Sequence, residues 1–265
     1  MFRILLIVIL MSLPAQARER YDEHLLPMDS IYTDPGFFAG SNWFDQYEAY
    51  RKLVALSLSD AFENTVVARV IVRPSFEPEY AIGLSLVDGQ YGLLHLEPEA
   101  QYYKYTILDE YRSSQPDQRF DPDGKDHTGI IQSLESELPT NPADVVIDLC
   151  DRSIPDGFGA KVYQLWSEML FRTRYPDFRG SPEDARIAMI NIGLDGTTYD
   201  FSMYYRYYPI AGTIWTPRPE SNTGQFVAIA ELMKDACHAE DNDAILSDIE
   251  RRTDDLLETL SKTVY

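Results

Sequence analysis

The clearest periodicity in the chain is Val162, Leu165, Trp166, Met169, Leu170 and Thr173, an apolar stripe at intervals of three and four. That spacing predicts an amphipathic helix beginning after Asp156–Gly157 and ending before Pro176. Ser221–Asn222–Thr223 supplies cap chemistry for a second helix, with Phe226, Ile229, Ala230, Met233 and Cys237 on one face. A third spans about Asp243 to Leu260, with Ile245, Ile249, Leu256 and Leu260 inward. Near the start, Ser41–Asn42 precedes Phe44, Tyr47, Val54 and Leu58, which share one face of a helix running to about Asp60.

Between these helices the period shortens. Thr65 to Val72 is rich in β-branched residues and stops at Pro74, which predicts a strand. Tyr80 to Val87 and Tyr91 to Glu97 flank Asp88–Gly89, a hairpin signal because glycine reaches positive φ without steric cost. A second hairpin is predicted from Arg186 to Leu194, the turn Asp195–Gly196 and an arm from Thr197 to Tyr208, with Gly212 to Thr216 as an edge strand. Val145 to Cys150 reads as a short buried strand or helix end. The Tyr-rich run from Ala100 to Tyr111 fits helix or strand, and Gly129 to Glu137 a short helix within a Pro-rich loop.

Helices clustered beside antiparallel hairpins predict an α+β fold: an antiparallel sheet built from two Asp-Gly hairpins plus extra strands, with helices packed mainly on one face. The predicted layout is an irregular lead-in over 18–40 and a single domain over 41–265. Any division into sub-lobes falls in the loop 113–142.

Ahead of this lies Arg3, then an unbroken apolar run from Ile4 to Met11, Pro14, and the small-x-small triplet Ala15–Gln16–Ala17. The pattern is that of a secretory signal peptide over 1–17; the run is too short for a membrane anchor, which needs roughly 20 apolar residues. The expected product is a soluble periplasmic or secreted protein without stable membrane insertion. Export changes the reading of Cys150 and Cys237, which in an oxidising compartment are expected to form a disulfide.

Charge narrows the partners. The chain carries 43 acidic and 23 basic side chains, a net charge of −20. Phosphate backbones are repelled, so nucleic acid is not an expected partner, whereas a cationic protein would be steered in.

Candidate chemistry is sparse. No nucleophile elbow, zinc helix, phosphate loop or dinucleotide fingerprint occurs, and no two of His24, His95, His127 and His238 share metal-ligand spacing, so neither cofactor nor metal is expected. Asp121, Asp123 and Asp126 resemble a calcium-loop fragment, but Gly124 stands fourth and Gln132 twelfth where such a loop wants Gly sixth and Glu twelfth. His95 and Glu97 point to one face of a strand and are candidates for acid–base work; the plainer reading turns them to water while Leu94 and Leu96 face the core. Asp195 and Asp200 form a candidate carboxylate pair of the glycosidase kind. The densest signal is Tyr204–Tyr205–Arg206–Tyr207–Tyr208. On one strand Tyr204, Arg206 and Tyr208 share a face, and with Trp215 they form a candidate binding surface of interface type.

These features point first to a non-catalytic binding protein, of the inhibitor or immunity type, with another exported protein as partner. A cell-wall glycan or peptide hydrolase using carboxylates, and a structural subunit of an envelope assembly, are the alternatives.

Overall fold

The computed structural model describes residues 23–28, 43–113, 128–174, 196–206 and 208–262, so the predicted leader lies outside the described residues. Among those residues the fold is α+β, with one antiparallel six-stranded sheet and six α-helices. The strands are β1 (Val66–Pro74), β2 (Tyr80–Val87), β3 (Gln90–Pro98), β4 (Ile147–Ser153), β5 (Thr197–Tyr205) and β6 (Tyr208–Trp215). Their order is β4-β3-β2-β1-β5-β6. Asp88 and Gly89 both hold positive φ, as a tight two-residue hairpin between β2 and β3 requires.

The second hairpin differs from the sequence expectation. The strand starting at Thr197 stops at Tyr205, reverses beside Arg206 (φ 60°) and returns as β6, with Tyr205 opposite Tyr208. Gly212 to Thr216 is therefore the continuation of a return arm. The reason is pairing: β1 occupies one edge of β5 and β6 the other. The predicted partner arm 186–194 lies outside the described residues. Val145 to Cys150 does lead into a strand, β4, and Val145 is buried, but β4 lies at the edge of the sheet beside β3 and leaves Val146 and Leu149 more than half exposed.

The three longest helices, α4 (Asp156–Phe171), α5 (Asn222–His238) and α6 (Asp243–Lys262), build the main core on one face of the sheet. Ala68, Val70 and Val72 of β1 point into it. Trp166 of α4 meets Phe201 and Phe226 edge-on at 5.5 and 4.6 Å, and those two rings stack at 4.3 Å. Ser221 Oγ caps α5 by accepting from the Gly224 amide. The α6 helix lies on α4 and α5 through Ile249, Leu256 and Leu260.

The other face is not bare. Helices α1 (Trp43–Ser57), α2 (Tyr103–Ser113) and α3 (Thr128–Glu137) contribute a smaller cluster over Ile71, Ala81, Leu94 and Leu96. A bulge between Val66 and Ala68 turns Val66 to this side as well. Glu79, fully buried, accepts from Tyr50 Oη (2.7 Å) and from the amides of Tyr102 (2.7 Å) and Tyr103 (3.0 Å). A carboxylate just before β2 thus satisfies orphan donors at the start of α2 and holds α1 through a phenol.

Cys150 of β4 and Cys237 of α5 form a disulfide with Cα atoms 6.0 Å apart. Arg152 Nη1 donates to the carbonyl oxygens of Ala236 and Ala239 at the same helix end. Two outcomes follow. Trp166→Ala should cost about 3–5 kcal/mol in urea unfolding, since three packed rings lose their centre. Reduction, or paired Cys→Ser substitution, should remove about 4 kcal/mol of loop constraint and lower the melting temperature by about 10 °C.

Candidate functional site

Beside its buried face, α5 carries Val227, Glu231, Lys234 and His238 at helical spacing. As the helix crosses the sheet this stripe meets Tyr199 of β5, Tyr80 of β2, and Glu97 and His95 of β3. Tyr80 Oη donates to Glu231 Oε1 at 2.7 Å. Lys234 Nζ sits 4.0 Å from the centre of the Tyr80 ring and 2.6 Å from Glu97 Oε2. His238 Nε2 lies 2.7 Å from His95 Nδ1 with the rings edge to face. A bond between two imidazole nitrogens needs one N–H and one lone pair, so only one of those two atoms carries a proton. His95 Nε2 approaches Glu97 Oε2 at 3.4 Å without a hydrogen bond to it.

Burial sets the protonation of this array. It pushes His95 down to about 3, helped by the charges of Lys234 and His238 and opposed by Asp148. It raises the Glu231 carboxyl, against the hydrogen bond from Tyr80 and the charge of Lys234. The Tyr80 phenol lies well above its ordinary range, and Tyr199 is pushed up to about 12, both by burial and then by Glu231. At neutral pH the array therefore holds a neutral His95 and two protonated phenols. The contacts Tyr80–Glu231, Glu97–Lys234 and His95–His238 tie α5 to the sheet.

The sequence expectation that His95 faces water is corrected here, whereas Glu97 remains partly exposed. His95 is 1 % exposed, because α5 covers one face of β3 while the second layer covers Leu94 and Leu96 on the other. The structure does bring His95 and Glu97 together. Asp200 lies elsewhere: it is buried, with Arg73 Nη2 at 2.6 Å from Oδ2 and Thr213 Oγ1 donating to Oδ1 at 2.7 Å. An arginine neutralises it. Its suggested companion Asp195, the acidic run Asp121 to Asp126, and His127 lie outside the described residues. His24 lies 2.6 Å from Arg174 Nη2 and is pushed down to about 4, first by burial and then by Arg174 and Arg172.

The tyrosine cluster divides. Tyr204 and Tyr205 end β5, Arg206 sits in the turn and Tyr208 opens β6, so the three proposed face-sharers do not lie along one strand. Trp215 sits at the opposite end of the hairpin, across from Thr198. What gathers at the tip instead is Tyr205, Tyr208 (75 % exposed) and Phe171 (54 % exposed), with Tyr204 on the opposite face of β5. Phe171 meets Tyr205 edge-on at 4.9 Å, and the Arg206 guanidinium lies 5.5 Å from the Tyr205 ring. Arg69 lies 4.3 Å from the Phe62 ring and 5.7 Å from that of Tyr204.

Glu231, Lys234, Tyr80 and Tyr199 escape sequence reasoning. Polar residues flanking an apolar helix face are what any amphipathic helix shows, and their partners are far away in sequence. Among the described residues, no group of three or more His, Cys, Asp or Glu is placed to hold a metal ion. No protein-family model, no curated protein and no solved structure matches the chain.

A base whose proton affinity falls on folding stabilises the fold above its unfolded pKa and loses that contribution as the pH drops. For His95 the window runs from 6.5 down to about 3, with a slope of about 1.4 kcal/mol per pH unit. His24 adds a change of the same sign between 6.5 and about 4. Urea unfolding at pH 6.5 and 4.5 should therefore show His95→Gln losing about 2–3 kcal/mol less than the parent between the two conditions. Equal losses would remove His95 from the acid response.

Proposed function

We propose that the chain is an exported, non-catalytic binding protein that docks another exported protein through its aromatic hairpin tip. The observation that carries this reading is the exposed group of Tyr205, Tyr208 and Phe171 beside Arg206, at the end of the sheet. Tyr and Arg supply large contact area and hydrogen bonding at small entropic cost, and they are the residue types in which interface hot spots are rich. A net charge of −20 favours a cationic partner by steering and by salt-sensitive attraction. The disulfide agrees with an oxidising compartment, and no helix among the described residues is long and apolar enough to cross a membrane. An inhibitor or immunity-type role fits a partner of this kind.

The hydrolase reading keeps one observation in its favour, the approach of His95, Glu97 and Lys234. Against it, His95 is buried and Glu97 is already paired. Glu97→Gln separates the two readings: a hydrolase loses turnover of purified cell wall, and a binder keeps its partner.

The tip is tested by capture from an exported-protein extract at low and moderate salt. The parent should retain a basic protein that Tyr205→Ser/Tyr208→Ser retains at least tenfold less, with its melting temperature unchanged. Capture that is identical for both forms would dismiss the tip. Assembly of the purified chain into a defined oligomer through the same residues would instead favour a structural subunit.

A further inference from the structure

At the end of the sheet farthest from the aromatic hairpin, β4 pairs with β3 alone. Two bonds just outside the paired strands fix which of its main-chain groups are used. The Glu99 amide donates to the Val146 carbonyl oxygen at 2.9 Å, and the Ile154 amide donates to that of Tyr91 at 3.1 Å. Bonded and non-bonded pairs alternate along an antiparallel ladder. Asp148, Cys150 and Arg152 therefore bond β3, while Ile147, Leu149, Asp151 and Ser153 aim their amides and carbonyls away from it. Among the described residues, no hydrogen bond reaches the main chain of those four. The opposite edge is better covered: Leu26 exchanges both main-chain bonds with Thr213 of β6, at 2.8 and 2.7 Å.

The side chains along this open edge select what can lie on it. Ile147 and Leu149 face the smaller cluster and, with Leu58 and Leu96, line a hollow of about 300 Å³ that Asp60 also borders. Asp148 and Asp151, both exposed, flank Leu149 on opposite faces of the strand. Arg152, the strand's one cation, is turned onto the carbonyl oxygens of Ala236 and Ala239. Charges on an edge keep other strands off, but here the available charges have one sign, which repels like and admits the opposite. A second copy of this chain would bring another net charge of −20 against them, so self-pairing is disfavoured.

We propose that β4 accepts an extended segment of a cationic protein as an added antiparallel strand. Main-chain bonds to Ile147, Leu149 and Asp151 supply the affinity, and the side chains of alternate residues supply the selectivity. Opposite Leu149 the segment carries an apolar residue, and opposite Asp151 and Asp148 it carries Lys or Arg. Read along the incoming chain, the requirement is basic, any, apolar, basic. The β5–β6 hairpin lies across the sheet from this edge, so the surface stands whether or not the tip binds.

The test is titration of the purified full chain with the N-acetylated peptide amide Thr-Thr-Lys-Thr-Val-Lys-Thr-Thr, read by calorimetry and by amide hydrogen exchange. Binding should saturate at one peptide per chain, with the Leu149 and Asp151 amides exchanging about tenfold more slowly in the complex. N-methylation of the peptide valine removes one main-chain donor and should weaken binding about tenfold, whatever becomes of any protein variant. Exchanging both peptide lysines for glutamates should abolish it. Asp148→Asn/Asp151→Asn alters exposed side chains alone; it should weaken binding about tenfold and flatten its salt dependence, with the melting temperature unchanged. No saturable heat at millimolar peptide, equal affinity for the N-methylated form, or slowed exchange that spares Leu149 and Asp151 would each overturn the proposal. Self-association that protects the same two amides would overturn it as well, by assigning the edge to a second copy.

Discussion

The fastening of α5 across the sheet is the constraint on which the rest of the molecule depends. Its first turn is closed by Ser221 and pressed against Arg218, and its last turn is bonded to β4 through Cys150 and supported by Arg152. Between these ends the helix lays Phe226, Ile229 and Met233 on the core, and Glu231, Lys234 and His238 on tyrosines, a carboxylate and a histidine of the strands. Covalent, apolar and polar fastenings thus run side by side along one helix. With α5 fixed, α6 has a surface to lie on and α4 a neighbour that completes the rings around Trp166.

Much of this was legible in the sequence, and the parts that were not share a cause. The Trp166 stripe, the apolar faces of α5 and α6, and the Asp88–Gly89 reversal are local signals, and each is read from residues within a few positions of one another. His95 is different. Alternation with Leu94 and Leu96 says only that it takes the opposite face, and whether that face meets water depends on α5, far along the chain. Tyr80 with Glu231, and Arg73 with Asp200, are likewise pairs formed by topology. The break at Arg206 was hidden because a run of tyrosines is good strand material on either side of a reversal, and no glycine marked it.

Two surface features lie at the two ends of the same hairpin. At one end β5 and β6 are joined by an exposed aromatic turn; at the other they frame a small cavity against α5. Between them the hairpin lays Phe201, Met203 and Ile214 on the main core. Neither end borrows residues from the other, so changes at the tip leave the cavity as it stands.

The strand order also governs when the molecule can close. Central β1 takes β2 on one edge within a few residues, but its other edge belongs to β5, so Val70 waits for Phe201. Until that late segment is available, β1 presents open backbone, and the ring cluster lacks both Phe201 and Phe226. Non-local pairing of this kind carries a high loop-closure cost and folds slowly. The sheet therefore cannot be completed until β5 and β6 are available to pair with β1.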